Sequence, residues 1–370
     1  MEYIKDGYNF EELKRYTDSF IDMGVPGNDC VVYHKGELVY RHMNGVSDME
    51  NNIPINGKEL FNVYSCSKPI TCVAALQLWE QGKFDLDDYL YKYLPEFEHM
   101  TVRDGDTVRP AENKITIRHL FTMTAGLDYD VASDSIKKAY ADTDGRCPTR
   151  KTIEYIAKEP LMFEPGTSWL YSLCHDVLAA LVEVLSGMKF GEYVKENIFK
   201  PLGMNRSTFN LPADKLDEVA EQYLIGEDGK HFNCGRGTRA YKLGSEYESG
   251  GAGCVTCLED YIKFLEALRV GDVILKSETI DMMATNQLSG DSMKVYRESR
   301  SKFGYGLGVR CHEGDSPYDF GWGGAAGAYL AVDKVNDFTL FYVQHLFGSP
   351  VPDGVQKWKI GELACKGVLR

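Results

Sequence analysis

The segments of this 370-residue chain that read as strands lie at its two ends, and the segments that read as helices fill its middle. Near the start, Cys30 to His34 and Leu38 to His42 are rich in β-branched and aromatic residues and flank Lys35-Gly36, the pattern of a hairpin. In the last third, Tyr305 to Cys311, Tyr318 to Trp322, Ala328 to Val332 and Phe338 to His345 alternate or run apolar between turn residues. Helical patterns cover Asp85 to Tyr93, Ile117 to Thr124, Thr149 to Ala157, Leu173 to Leu185 and Phe190 to Phe199. An amphipathic helix with Phe10, Leu13, Phe20 and Ile21 on one side precedes the first strand. Another runs near Asp260 to Leu268 behind a capping box from Thr256 to Glu259, and a last one covers about Val355 to Leu369. Strands that meet from opposite ends of a chain belong to one sheet. The expected fold is therefore α/β in the α+β sense: an antiparallel sheet flanked by helices, with an inserted all-helical lobe. Residues 1–80 and 246–370 are expected to form the discontinuous α/β lobe and 81–245 the mainly helical one, with a site in the cleft between them.

The chemistry is concentrated where the first lobe gives way to the second. Ser65-Cys66-Ser67-Lys68 places a serine and a lysine three positions apart at the start of a helix, so that the Lys68 amine can reach the Ser65 hydroxyl. The free N–H groups of the first helical turn also favour developing negative charge there. Ser135/Lys138, Ser186/Lys189 and Ser299/Lys302 repeat the spacing, but the first sits on a solvated helix, the second at a helix end and the third in a charged run. Only Ser65 follows an aromatic and β-branched run, Phe61 to Tyr64, and opens an apolar helix, Ile70 to Trp79, that Gly82 terminates. Pro69 fits the first turn, where its missing N–H costs nothing.

Composition narrows the partners. A net charge of −14 with no long basic run argues against nucleic acid and anionic membranes, both of which select basic surfaces. The N-terminus lacks the apolar core of a signal peptide, and no apolar stretch is long enough to span a bilayer, so a cytoplasmic location is expected. Ten scattered cysteines then read as reduced thiols. Cys254 and Cys257 form one CxxC with no second pair or spaced histidines to complete a zinc site, and Asp142-Thr143-Asp144-Gly145 lacks the acid a calcium loop needs, Ile153 standing there instead. No metal and no cofactor are expected.

With these elements placed, the chain resembles the serine β-lactamase-like, penicillin-recognising family, in its class C β-lactamase and class VIII esterase branch, from about Val31 to Tyr342. Beyond Ser65 to Pro69, the resemblance is carried by several blocks: Gly82 to Asp88 through Pro95, Thr116 to Leu120, Gly126-Leu127, Phe163 to Thr167 before Tyr171-Ser172, Pro201 to Met204, Gly250 to Gly253, and Gly321 to Gly324. It implies a serine hydrolase that works through an acyl-enzyme, with Ser65 as nucleophile, Lys68 and Tyr171 moving its proton, and the backbone N–H groups of Ser65 and Ala325 as oxyanion hole. The family's second motif, Tyr-x-Asn, reads Tyr171-Ser172-Leu173, and its third, Lys-Thr-Gly, reads Trp322-Gly323-Gly324.

Both departures remove polar anchors for β-lactam and D-Ala-D-Ala ligands, so the resemblance implies an esterase-like enzyme for small ester or amide substrates. Trp322, Gly323, Gly324 and Leu173 would line the substrate. A β-lactamase, D-amino-acid peptidase or acyltransferase shares the same chemistry, and a non-catalytic binding homologue is the reading from a different class. A Ser-His-Asp hydrolase is disfavoured because the nearest G-x-S-x-G, Gly166 to Leu170, fails at its last position. His119, and His175 followed by Asp176, read first as surface or buried hydrogen-bonding residues, as helical histidines mostly are, and second as polar neighbours of the site.

Overall fold

The computed structural model describes residues 2–226, 228–237, 241–300, 302–348 and 355–369. Among them, strands β1 (Glu2–Ile4), β2 (Gly27–His34) and β3 (Glu37–Asp48) come from one end of the chain. The strands β4 (Gly304–Tyr305), β5 (Arg310–Cys311), β6 (Phe320–Gly323), β7 (Tyr329–Asp333) and β8 (Phe338–Gln344) come from the other. They pair in the order β1-β3-β2-β8-β7-β6-β5-β4, with the short strand Ile53–Pro54 added on β3. Every pairing in this sheet is antiparallel, and the two ends of the chain meet at its centre, where Val32 opposes Leu340 and Val31 opposes Phe341. The β2–β3 hairpin turns on Lys35 and Gly36, both at positive φ (54° and 80°), the backbone that matches the twist of the flanking strands.

Alternation along the strands builds two cores. Cys30, Val32, Leu340 and Tyr342 face helices α1 (Glu11–Asp22) and α5 (Val355–Val368), packing with Leu13, Phe20, Ile360 and Leu363. Val31, Leu330, Phe341 and Val343 belong to the opposite core, with α2 (Ser67–Glu80) and α4 (Leu258–Val270); Tyr261 of α4 stacks on Phe341 with ring centroids 4.2 Å apart. α2 is buried nearly all round, as an interior helix must be, and packs against α3 (Cys174–Ser186). The helical middle also contains Ile117–Phe121, Asp134–Asp142, Thr149–Ile156 and Phe190–Val194. No helix among the described residues is long and apolar enough to cross a membrane.

Four local expectations fail. Asp85 to Tyr93 is not an α-helix: Asp88 accepts the Asp85 N–H (2.9 Å) and the Tyr93 hydroxyl (2.8 Å), while the Leu86, Asp88 and Leu90 backbones bond residues 115–118 at the start of the Ile117–Phe121 helix, leaving only a 3₁₀ turn at Leu90–Lys92. Tyr305 to Cys311 is two short strands closed by a tight turn, with Gly308 at φ 85°. The helix from Phe190 widens into a π-turn at Lys195–Phe199. The capping box at Thr256 is absent because Thr256 is buried on the short strand Val255–Thr256, where its hydroxyl bonds Ser207 (2.7 Å), and Cys257 caps α4 instead.

Candidate active site

Ser65 lies in a 3₁₀ turn, Tyr64–Cys66, that runs directly into α2. Tyr64 enters the turn at φ 45°, a left-handed backbone uncommon for a tyrosine. Its surroundings hold it there: the ring packs edge-on against Phe347 (4.8 Å) and Tyr241 (5.9 Å), and its hydroxyl donates to Gln222 at 3.1 Å. The first bond of the turn runs from the Cys66 N–H to the Val63 carbonyl (3.1 Å), so the Ser65 N–H precedes the ladder.

One turn along, the fully buried Lys68 amine donates to Ser65 Oγ at 3.3 Å, to the Gly251 carbonyl at 2.8 Å and to the Tyr129 hydroxyl at 3.4 Å. Tyr171 completes the group, its hydroxyl donating to Ser65 Oγ at 2.5 Å while its ring centroid lies 4.5 Å from the Lys68 nitrogen. Tyr171 is held by backbone bonds on either side, Leu170 N–H to Met123 (3.0 Å) and Leu173 N–H to Asp128 (2.9 Å).

Aromatic rings frame the serine. Tyr171 stacks between Tyr129 (5.4 Å, 13°) and Trp322 (5.8 Å, 23°), and Trp322 Nε1 points at the Tyr171 hydroxyl at 3.4 Å. Tyr241 meets Tyr129 edge-on at 5.5 Å. Burial pushes the Tyr129 hydroxyl well above its ordinary range, so it acts as a neutral donor or acceptor. Trp322 and Gly323 end β6, and Gly324 brings the following turn against the serine turn: a Cβ there would lie 2.4 Å from the Val63 carbonyl oxygen. Ala325, next along, is exposed. Leu173, in contrast, is buried at the N-cap of α3 and borders a narrow depression with Leu127, Asp130 and Ile136.

The flagged histidines have structural work. His119 completes a capping box: Thr116 Oγ1 accepts the His119 N–H (3.4 Å) and His119 Nδ1 accepts the Thr116 N–H (3.2 Å). Burial lowers His119 to about 4 and His175, beside Cys72 and the Phe121 carbonyl, to about 3. Both are neutral in the fold at pH 7. Because an unfolded histidine binds a proton near pH 6.5, the stability they contribute is present above that pH and is lost as pH falls from 6.5 toward 4, by up to about 3 kcal/mol for His119. His119→Gln keeps an acceptor for the Thr116 N–H without a titrating ring. Its urea-unfolding midpoint is expected to fall less steeply than the wild type's between pH 6.5 and 4; equal slopes would show that His119 does not cap as a neutral base.

Sequence reasoning brought out Ser65, Lys68, Tyr171 and Trp322, which the structure places together, and it passed over Tyr129, Tyr241 and the Gly251 carbonyl. The available signals were the Gly126-Leu127 block two residues before Tyr129 and the glycine run at 250–253, which was read for its resemblance and not for its carbonyl.

A family model described as Beta-lactamase matches residues 13–364. The chain is 30% identical over 339 residues to "Esterase EstB" of Burkholderia gladioli, covering 83% of each protein. It is also 30% identical over 232 residues to monacolin J acid methylbutanoyltransferase of Aspergillus terreus, covering 59% of this chain and 55% of that one. Among solved structures, "EstCE1, a hydrolase with promiscuous acyltransferase activity" superposes with a TM-score of 0.80 at 23% identity, covering 96% of this chain and 99% of that one, which speaks for a shared fold.

Proposed function

Because the chain belongs to the Beta-lactamase family, we propose that it cleaves small esters through a covalent acyl-enzyme on Ser65. The observation that carries this reading is the convergence of two proton-bearing groups, Lys68 and Tyr171, on the Ser65 hydroxyl at 3.3 and 2.5 Å. Ser65 Oγ bonds to the substrate carbonyl carbon as its proton passes to the Lys68–Tyr171 pair, and the carbonyl oxygen takes up charge facing the Ser65 and Ala325 N–H groups. The proton then leaves with the alcohol as the ester C–O bond breaks. Water, relieved of a proton by the same pair, attacks the acyl-enzyme and releases the acid, restoring Ser65.

The Burkholderia gladioli relative, an esterase by name, supports ester substrates. Trp322 in place of the family lysine sets an aromatic wall where a β-lactam carboxylate would meet a cation, and Leu173 removes the family amide. Losing one charge-assisted hydrogen bond costs about 1.5–3 kcal/mol, or roughly one to two powers of ten in rate. Measured side by side, kcat/KM for p-nitrophenyl acetate or butyrate is expected to exceed that for a chromogenic cephalosporin and for a D-Ala-D-Ala peptide. A cephalosporin turned over faster than every ester would replace the esterase reading with a β-lactamase.

Acyl transfer is the second reading. It is favoured by the similarity to the Aspergillus terreus methylbutanoyltransferase and requires only that an alcohol replace water at the acyl-enzyme. The division into a 1–80/246–370 lobe and an 81–245 lobe, with the site between them, belongs to the same proposal. So does a cytoplasmic location, which is supported by eight of the ten cysteines lying buried as free thiols.

A further inference from the structure

At the site Gly250-Gly251 lies against both α2 and α3, a Cβ on Gly250 meeting Thr71 of α2 and His175 and Ala179 of α3. The Gly250 carbonyl accepts from Thr71 of α2 (2.7 Å) and the Gly251 carbonyl from Lys68 (2.8 Å). On the far side of this turn lies Asp176, the third residue of α3, with no measurable exposure. Its Oδ1 accepts hydrogen bonds from the Ser249 hydroxyl (2.6 Å) and the Tyr247 hydroxyl (2.9 Å), while Oδ2 has no hydrogen-bond partner among the described residues. A Cβ on Gly251 would sit 2.6 Å from Asp176 Oδ2 and 3.3 Å from both Lys68 Nζ and Tyr129 Oη. The unpartnered oxygen and the lysine amine therefore face the same small space, which only a glycine keeps open. No direct ion pair joins them among the described residues, so their interaction acts through that space.

We propose that Asp176 is a positioning residue for the Ser65 reaction: across the gap left by Gly251 its carboxylate favours the charged Lys68 amine, and it thereby sets the pH above which the Lys68–Tyr171 pair takes the Ser65 proton. This rests on the acyl-enzyme reading above. Burying a carboxylate without a counter-charge is costly, and the Ser249 and Tyr247 hydroxyls and the Gly251 N–H that face it carry no net charge, so Lys68 is the cation that compensates it. The same accounting holds in reverse for a lysine whose hydrogen-bond acceptors are neutral oxygens. Burial pushes the Asp176 carboxyl up, and the Ser249 hydroxyl, the Lys68 charge, the Tyr247 hydroxyl and the Gly251 N–H oppose that rise. The other ionisable groups facing the pair are Tyr129, Tyr171, Tyr247, Cys72, Cys174 and His175. Burial holds Cys72, Cys174 and His175 in their neutral forms, and Tyr129 and Tyr247 are likewise kept protonated.

The sign of the effect does not depend on which partner carries the proton. Removing a negative charge makes protonation of Lys68 or Tyr171 less favourable, so the rise of kcat/KM with pH moves to lower pH. Asp176→Asn keeps an oxygen acceptor for Ser249 and Tyr247 and deletes only the charge. With p-nitrophenyl butyrate, its rising limb is expected about one pH unit lower than the wild type's, or about tenfold in rate at a fixed pH on that limb. A purely structural role would lower the melting temperature or the height of the profile and leave the limb in place, and an unmoved or alkaline-shifted limb overturns the proposal. Should Asp176→Asn not fold, Tyr247→Phe and Ser249→Ala each withdraw one donor from the carboxylate. Each keeps the charge and leaves it less neutralised by donors, so each is expected to move the limb the opposite way, to higher pH, by less than about one unit, and the proposal falls if neither does. Fluorophosphonate labelling of the wild type at Ser65 keeps the two readings separate, since an unlabelled wild type sinks the acyl-enzyme itself, whereas labelling with an unmoved limb sinks only the role of Asp176.

Discussion

Ser65→Ala is expected to abolish covalent capture by a fluorophosphonate and to lower ester turnover by about 10³-fold or more, because among the described residues no other hydroxyl accepts from both Lys68 and Tyr171. Ser65 is small, buried, and bonded through its side chain, among the described residues, to Lys68 and Tyr171, so alanine leaves the 3₁₀ turn and the packing of α2 undisturbed. An unchanged melting temperature beside lost labelling assigns the effect to chemistry. Turnover that survived the substitution would remove Ser65 from the mechanism, and with it the roles of its partners.

Tyr171→Phe comes next in size. It deletes the hydroxyl 2.5 Å from Ser65 Oγ and keeps the ring stacked between Tyr129 and Trp322. The fold is expected to persist, and kcat/KM to fall by about 10²-fold or more, the usual contribution of a positioned acid–base group. Labelling by the fluorophosphonate should slow in parallel, since the same proton must leave Ser65. A loss below about threefold in both would leave Lys68 as the sole proton carrier.

The pairing of the two chain ends was legible in residue patterns, since β2 and β8 are long enough for alternation to declare both faces: Val31 and Val32, or Leu340 and Phe341, go to opposite cores. The hairpin at Lys35-Gly36 was legible for the same reason. Shorter strands were not, as Thr101–Asp104 with Thr107–Pro110, and Tyr223–Ile225 with His231–Asn233, offer too few residues for a period to show. The helix expected at Asp85 to Tyr93 was misread because apolar spacing is silent about side chains such as Asp88 that take the backbone's hydrogen bonds. At the site, Ser65 and Lys68 are local in sequence and were readable from spacing, and Tyr171 and Trp322 from resemblance. Tyr129 and Tyr241 are two of 23 tyrosines, the first marked only by the Gly126-Leu127 block before it and the second by nothing in its immediate neighbours. Their roles come from contacts more than 60 residues away in the chain, made only when α2, the 123–129 segment and the 241–251 segment converge.

That the sheet closes through β2 and β8 also places the site in time. A ribosome releases the hairpin, the serine turn and α2 long before it reaches Phe338, and the centre of the sheet stays open until the last strand arrives to pair residues some 300 positions apart. Until then the edge of β2 away from β3 has no partner strand, and Trp322 and Gly324 have no frame to press against the serine turn. The nascent chain thus carries Ser65 and Lys68 early and the frame around them last, and a chain cut short before β8 holds both beside a sheet with an open middle.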